Sequence, residues 1–198
     1  QHGAGNLEFQ EFHLIPSSRK LFSESLEMGS EIYHLLKKIL VDKKAIHSVG
    51  DEGGFAPNLY SNTDAIELLV ETIESSPFKL NDDVYMGLDI AASSLFSNGK
   101  ITISDNKDPF DDEQFANFLV DLCHKYSLLS IEDPFAEDDW DGWANFHSAI
   151  GKQIMLVGDD LLVTKRKRLA DAIEKEACSG VIVKPNQIGT ISETVQFV

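Results

Sequence analysis

The sequence has 198 residues, 42% hydrophobic and 25% charged, which is enough apolar material for one globular core. Its formal net charge of -16 argues against non-specific binding to nucleic acid or to an anionic membrane. No apolar run approaches the ~20 residues that span a bilayer, and no signal-peptide pattern opens the chain. The first residue is Gln, and Thr190–Val198 reads as a helix soon after its start, so the expectation is a piece of a longer chain. Cys123 and Cys178 form no CxxC pair and lie in helix-like patterns with apolar neighbours, which predicts buried reduced thiols and a cytoplasmic setting.

In chain order, Leu7 to Pro16 alternates apolar and polar residues and predicts a strand carrying Gln10, Glu11 and His13. Ser23 to about Leu40 predicts a helix with an apolar stripe at Ile32, Leu35, Leu36, Ile39 and Leu40. The loop Val49-Gly50-Asp51-Glu52-Gly53-Gly54-Phe55-Ala56-Pro57 brackets two acids with glycines, so backbone can approach a ligand closely while two carboxylates point into one space. Ser61-x-x-Asp64 is a capping signal for a helix to Ile73.

Val84–Asp89 predicts a short apolar strand ending in an acid, and Asn98-Gly99 a hairpin turn. Phe115, Phe118, Leu119, Leu122, Cys123 and Tyr126 predict an amphipathic helix. Leu128–Leu162 then reads as strand, helix, strand. The first strand stops at Glu132-Asp133 and the second at Asp159-Asp160, while Asp138, Asp139 and Asp141 mark the solvated start of the helix between them. Lys165–Glu176 predicts a helix directing Leu169, Ala172 and Ile173 inward, and Val181–Val183 a last strand ending at Lys184.

Strands alternating with helices imply an α/β fold with a parallel sheet, either doubly wound or part of a (β/α) barrel. Strands without alternation imply burial on both faces. In such a sheet the C-terminal strand ends share one face, which brings together Asp89, Glu132, Asp159 and Lys184. Three carboxylates gathered there repel one another, and a divalent cation relieves that cost. Oxygen donors without Cys or His select Mg²⁺ or Mn²⁺ over Zn²⁺. A partly desolvated lysine near cations has its pKa lowered and can act as a base.

Six blocks in order resemble the enolase family of phosphopyruvate hydratases: Gln10-Glu11-Phe12, Gly50–Pro57, Leu88–Ser93, Ser130–Pro134, Val157–Leu161 and Lys184-Pro185-Asn186-Gln187-Ile188-Gly189-Thr190. The resemblance implies a partial TIM-type barrel, with residues 1–198 as the central portion of the C-terminal barrel domain. The N-terminal capping domain and the last barrel strands are then outside it. It implies Mg²⁺ held by Asp89, Glu132 and Asp159, and reversible dehydration of 2-phospho-D-glycerate to phosphoenolpyruvate. Lys184 is then the base and Glu52 the acid, with Glu11 beside it; His2, Gln10, Glu11, Glu132 and Asp159 contact substrate. A homodimer in the full-length protein, and little activity for these residues alone, are further expectations of the resemblance. The sequence departs from the family pattern at His2-Gly3-Ala4-Gly5-Asn6-Leu7, where Asn is displaced by one position, at Ser94, where an acid is usual, and at Lys165, where Asn is usual.

Two other readings remain open. One is another Mg²⁺-dependent lyase of the same superfamily, against which the acid-bearing Gly50–Gly54 loop stands. The other is a surface-displayed protein that captures partners, for which Lys165-Arg166-Lys167-Arg168 is the basic cluster in an otherwise acidic chain.

Overall fold

The computed structural model describes residues 5–198. They divide into two compact units. The first takes the described residues up to Gly87 together with Ile103–Asp108, and the second takes Leu88–Thr102 and Pro109–Val198. Among the described residues no helix is long and apolar enough to cross a membrane.

The first unit contains β1 (Glu11–Pro16), α1 (Phe22–Asp42), α2 (Asn62–Glu74) and the start of β2 (Val84–Asp89), with β1 and β2 hydrogen-bonded neighbours. α1 buries Met28, Ile32 and Leu40. α2 starts where the capping signal placed it: the Ser61 side chain accepts from Asp64 N at 3.0 Å. Strand pairing begins at Glu11 rather than Leu7, and the reason is a side chain. Asn62, fully buried, accepts at Oδ1 from Glu8 N (3.1 Å) and Phe9 N (3.0 Å), so those donors are taken before a strand could use them. Its Nδ2 donates to Glu8 Oε2 (2.9 Å) and Asp105 Oδ2 (2.6 Å). Asp105 also accepts from Asn62 N and Thr63 N, capping α2 from a distant part of the chain.

The second unit holds the end of β2, the hairpin β3 (Phe96–Ser97) and β4 (Lys100–Ile101), then α3 (Asp112–Tyr126), β5 (Ser130–Glu132), α4 (Trp140–Ile150), β6 (Met155–Gly158), α5 (Arg166–Glu174), β7 (Gly180–Val181), α6 (Pro185–Ile188) and α7 (Ile191–Phe197). The end of β2 lies beside β5, followed by β6 and β7, and the β5–β6 and β6–β7 pairs are parallel. The hairpin turns at Asn98 and Gly99, both at positive φ (53° and 74°), as a two-residue turn of this hand requires. α3 begins with a capping box: Asp111 accepts from Gln114 N, and Gln114 Oε1 accepts from Asp111 N. Its buried face packs Phe115 against Phe135, which meets Phe146 of α4 edge-on, with centroids 6.4 and 5.4 Å apart.

Three expectations need correction. Ile173 is 68% exposed, and the inward face of α5 is carried by Ala172. Burial on both faces fails at the margin of the sheet: β7 is its last strand, and Val181, Val183 and Met155 stay exposed. Cys178 lies beyond the end of α5 and is half-buried, while Cys123 is buried in α3; both are free thiols. Burial pushes the Cys123 thiol up to about 12, and burial, with a smaller contribution from the charge of Asp133, pushes Cys178 up to about 11.

Two measurements test this architecture. Asn62→Ala leaves one buried and one partly buried backbone donor without their acceptor, so urea denaturation should show a loss of about 2–3 kcal/mol; a loss below about 0.5 kcal/mol would mean that Asn62 organises nothing. Because both thiols stay protonated in the folded state, labelling by a disulfide reagent should be slow and still rising steeply between pH 8 and 9.5, whereas the chain unfolded in urea should label fast and level off over that range. Rapid labelling of the native protein at pH 8 contradicts the burial of Cys123.

Candidate functional site

The second unit assembles four strand ends. Asp89 closes β2, Glu132 closes β5, Asp159 follows β6, and Lys184 lies three residues beyond β7. Asp89, Asp133 and Asp159 are 3%, 3% and 6% exposed, and Glu132 is half-buried. The hydrogen bonds from Ile90 N to Glu132 O and from Ala92 N to Asp133 O lock the exits of β2 and β5 together. Burying carboxylates side by side disfavours their charged forms. Burial first, then the charges of Asp89, Asp133 and Asp159, push Glu132 up to about 8, with Lys184 pulling the other way.

Asp133 follows the inferred ligand Glu132, where hydrogen bonding to groups around the ligands or helix capping is expected, and the structure shows the hydrogen bonding. Its Oδ1 accepts from Asp159 N (3.0 Å) and its Oδ2 from Asp160 N (2.7 Å), so one carboxylate braces the exit of β6. Burial still raises its pKa to about 6, against the lowering effect of those two hydrogen bonds. Asp133 sits at φ 41°, Ala91 at 49°, and Val163 and Thr164 at 44° and 55°. This left-handed conformation costs non-glycine residues energy and often gathers at functional sites. Thr164 is fully buried, and its Oγ1 accepts from Lys184 N at 2.8 Å, which fixes the backbone of the lysine.

The Lys184 ammonium is hydrogen-bonded to Asp159 Oδ2. Its pKa is raised, contrary to the expectation of a lowered one: burial lowers it, but the hydrogen bond and charge of Asp159, then Glu132 and Asp160, outweigh burial. A cation neutralising those carboxylates would remove the upward contributions and leave burial to act alone. Gln187 reaches Asp159 Oδ1 at 3.4 Å. It went unassigned in the sequence, although Pro185 at the first position of a helix is a start signal that puts Lys184 and Gln187 one turn apart.

Among the described residues, the carboxylates whose oxygens all lie within 4.8 Å of one another are Asp133, Asp159 and Asp160. Asp159 belongs to both this group and the set inferred from sequence. The donor chemistry suits a hard divalent cation, since every candidate ligand is a carboxylate oxygen.

The first unit holds the other inferred residues that the structure describes; His2 lies outside them. Glu11 and His13, two apart on β1 and so on one face, are joined at 2.8 Å between Oε2 and Nε2. The Gly-rich loop is a small hairpin. Val49 bridges Phe55, Gly50 N donates to Gly54 O (2.9 Å), Gly53 N donates to Gly50 O (3.0 Å), and Gly53 takes φ 88°. A cavity of about 330 Å³ is lined by Gln10, Glu11, His13 and Glu52 among mainly apolar neighbours. Asp51 does not line it, so of the two loop acids only Glu52 serves that space.

The four residues of the basic cluster differ in their surroundings. Lys165, Arg166 and Lys167 are exposed, whereas Arg168 pairs with Asp138 at 3.0 Å, donates to Leu161 O and Glu137 O, and lies 5.0 Å over the Trp140 ring. Asp139 caps α4 by accepting from Gly142 N, which agrees with the reading of that acidic stretch as a helix start.

Parallel strands with acids and a lysine at their C-terminal ends fit an α/β barrel-type domain, with carboxylates that could hold a cation on that face. The chain belongs to the enolase family: the family model described as "Enolase, C-terminal TIM barrel domain" matches residues 1–198.

A divalent-cation titration by calorimetry separates the two carboxylate sets. Glu132→Gln should abolish the binding heat and Asp160→Asn should preserve it if Asp89, Glu132 and Asp159 are the ligands. The reverse pattern would assign the cation to Asp133, Asp159 and Asp160.

Proposed function

We propose that this chain carries enolase chemistry: reversible, Mg²⁺-dependent dehydration of 2-phospho-D-glycerate to phosphoenolpyruvate. The observation that supports it most is the gathering of Asp89, Glu132, Asp159 and Lys184 at the ends of β2, β5, β6 and β7 within one unit. Membership of the enolase family narrows the chemistry to proton removal next to a carboxylate.

Asp89, Glu132 and Asp159 would hold the Mg²⁺, which when bound supplies positive charge to stabilise the negative charge that builds on the substrate carboxylate. Lys184 removes the proton from C2 as its neutral amine, the form favoured once a bound cation offsets the carboxylates that raise its pKa, with Thr164 fixing its backbone and Asp159 its side-chain nitrogen. Gln187 holds Asp159 from the other oxygen, so the lysine's partner is itself positioned. The C3 hydroxide then leaves as water with a proton from Glu52, the C–O bond electrons being replaced by those of the former C2–H bond. Glu11, oriented by His13, stands with Gln10 on the same cavity as Glu52. The acid on the Gly50–Gly54 loop distinguishes this reading from other proton-abstracting members of the superfamily, because only loss of hydroxide needs it.

The two half-reactions can be separated in the native gene product. Lys184→Ala should abolish both exchange of the C2 proton with deuterated water and formation of phosphoenolpyruvate. Glu52→Gln should keep the exchange while slowing product formation by about 10²–10⁴-fold. Product formation unchanged in Lys184→Ala would overturn the assignment of the base.

A further inference from the structure

Glu52 sits at the tip of a loop that is poorly suited to holding a catalytic acid. Residues 51–54 are all exposed, and Gly50, Gly53 and Gly54 give the backbone wide conformational freedom. The cross-hairpin bonds between Gly50, Gly53 and Gly54 close the turn on itself but tie it to no other element. Proton donation to a leaving group needs the acid within hydrogen-bond reach, and misplacement by about 1 Å costs about 10²-fold in rate.

One side chain of α1 meets this loop on both sides of Glu52. The Tyr33 ring stacks on Phe55 with centroids 4.4 Å apart and planes 19° from parallel. The Tyr33 hydroxyl donates to Gly53 O at 2.8 Å. Phe55 is the residue that bridges Val49 at the neck of the hairpin, and Gly53 directly follows Glu52. Tyr33 therefore holds the neck through its ring and the tip through its hydroxyl. The support is firm, because Met28, Ile32 and Leu40 bury α1 in the core of the first unit. Placing a supporting group on a packed helix limits how far the loop can stray.

We infer that Tyr33 is a positioning residue for the dehydration: it lines the same cavity as Glu52, and it aims Glu52 by clamping the Gly50–Phe55 loop to α1. This rests on the reading of Glu52 as the acid. Removing the hydroxyl releases the tip, and removing the ring releases the neck as well. The cost falls on the step that Glu52 serves, so kcat drops while KM changes little.

Two readouts test the inference. The first is hydrogen exchange in the 198-residue chain, which requires no activity. Tyr33→Phe should accelerate exchange of the Gly53 amide, and Tyr33→Leu should accelerate exchange of both Gly50 and Gly53. Amides within α1 should be unchanged in Tyr33→Phe, which guards against a variant that fails to fold.

The second readout is a double-mutant cycle on kcat in the native gene product. Tyr33→Phe should lower kcat about threefold to tenfold, and Tyr33→Leu about 10²-fold. Neither change should lower kcat further once Glu52→Gln is present. Full additivity of Tyr33→Leu with Glu52→Gln, or loop exchange unchanged in Tyr33→Leu, would overturn the clamp. Normal turnover by Glu52→Gln alone would instead overturn the reading of Glu52, while the exchange measurement would still decide whether Tyr33 holds the loop.

Discussion

Burying like charges together is the constraint around which the second unit is arranged. Asp89, Asp133 and Asp159 are nearly inaccessible to water, with Glu132 half-buried among them. Each buried ion that goes uncompensated costs several kcal/mol. The backbone answers part of that cost: Ala91 N donates to Asp89, and Asp159 N and Asp160 N donate to Asp133. Lys184 and Gln187 answer another part at Asp159. Burial and the charges of Asp89, Asp133 and Asp159 push Glu132 above the ordinary carboxylate range, to about 8, so added positive charge is favourable there. A fold arranged only for stability would have little reason to keep such a residue there.

The backbone that delivers these hydrogen bonds is itself bent out of its preferred regions. Ala91 follows Asp89 by two residues, and Asp133 follows Glu132 by one, both left-handed. The turn at Ala91 aims its N–H back at the Asp89 carboxylate, and the turn at Asp133 lets its side chain reach the exit of the next strand. Each such residue costs on the order of 1–3 kcal/mol and persists only where its surroundings hold it. Ala91, Asp133 and Thr164 are all buried. The strain is therefore part of how the strand ends are shaped, and it explains why the acids converge rather than splaying toward solvent.

Much of this was readable from the residues. The apolar runs ending in acids marked β2, β5 and β6, because a strand with apolar side chains stops where the chain must become polar. Ser61 and Asp64 marked the start of α2, and Asn98-Gly99 marked the hairpin, since each signal is a local bond or a local dihedral. What escaped was non-local. Nothing near Asn62 shows that its amide accepts from Glu8 and Phe9, 54 and 53 residues away, and thereby shortens β1. Asp133 resembled a second acid beside a ligand, and its use as a brace depends on the parallel pairing of β5 with β6. Ile173 fitted a helical apolar stripe, yet Ala172 supplies the buried contact, because a nine-residue helix at the margin of the sheet presents only a narrow face to it. The reading of Lys184 as a low-pKa lysine assumed cations near it; with carboxylates alone around it the direction is reversed.

The first unit solves a different problem. Glu52 is exposed on a glycine-rich loop, where burial does not fix it as it fixes Asp159. A tether to a packed element narrows the positions such a loop can take, and a tether needs a rigid base and two points of attachment to resist rotation as well as translation. Tyr33 provides both: an aromatic face against Phe55 and a hydroxyl on Gly53 O, from a helix packed by Met28 and Ile32. Phenylalanine at this position would supply one attachment, and an aliphatic side chain neither. In the sequence Tyr33 is merely an ordinary member of the α1 pattern. Its role emerges only once it is seen to meet the loop on both sides of Glu52, because the demand for a tether comes from the glycines at 50, 53 and 54 rather than from the tyrosine. A loop made of glycine so that backbone can approach a ligand must borrow its rigidity from elsewhere, and here the source is a ring in the middle of the longest helix.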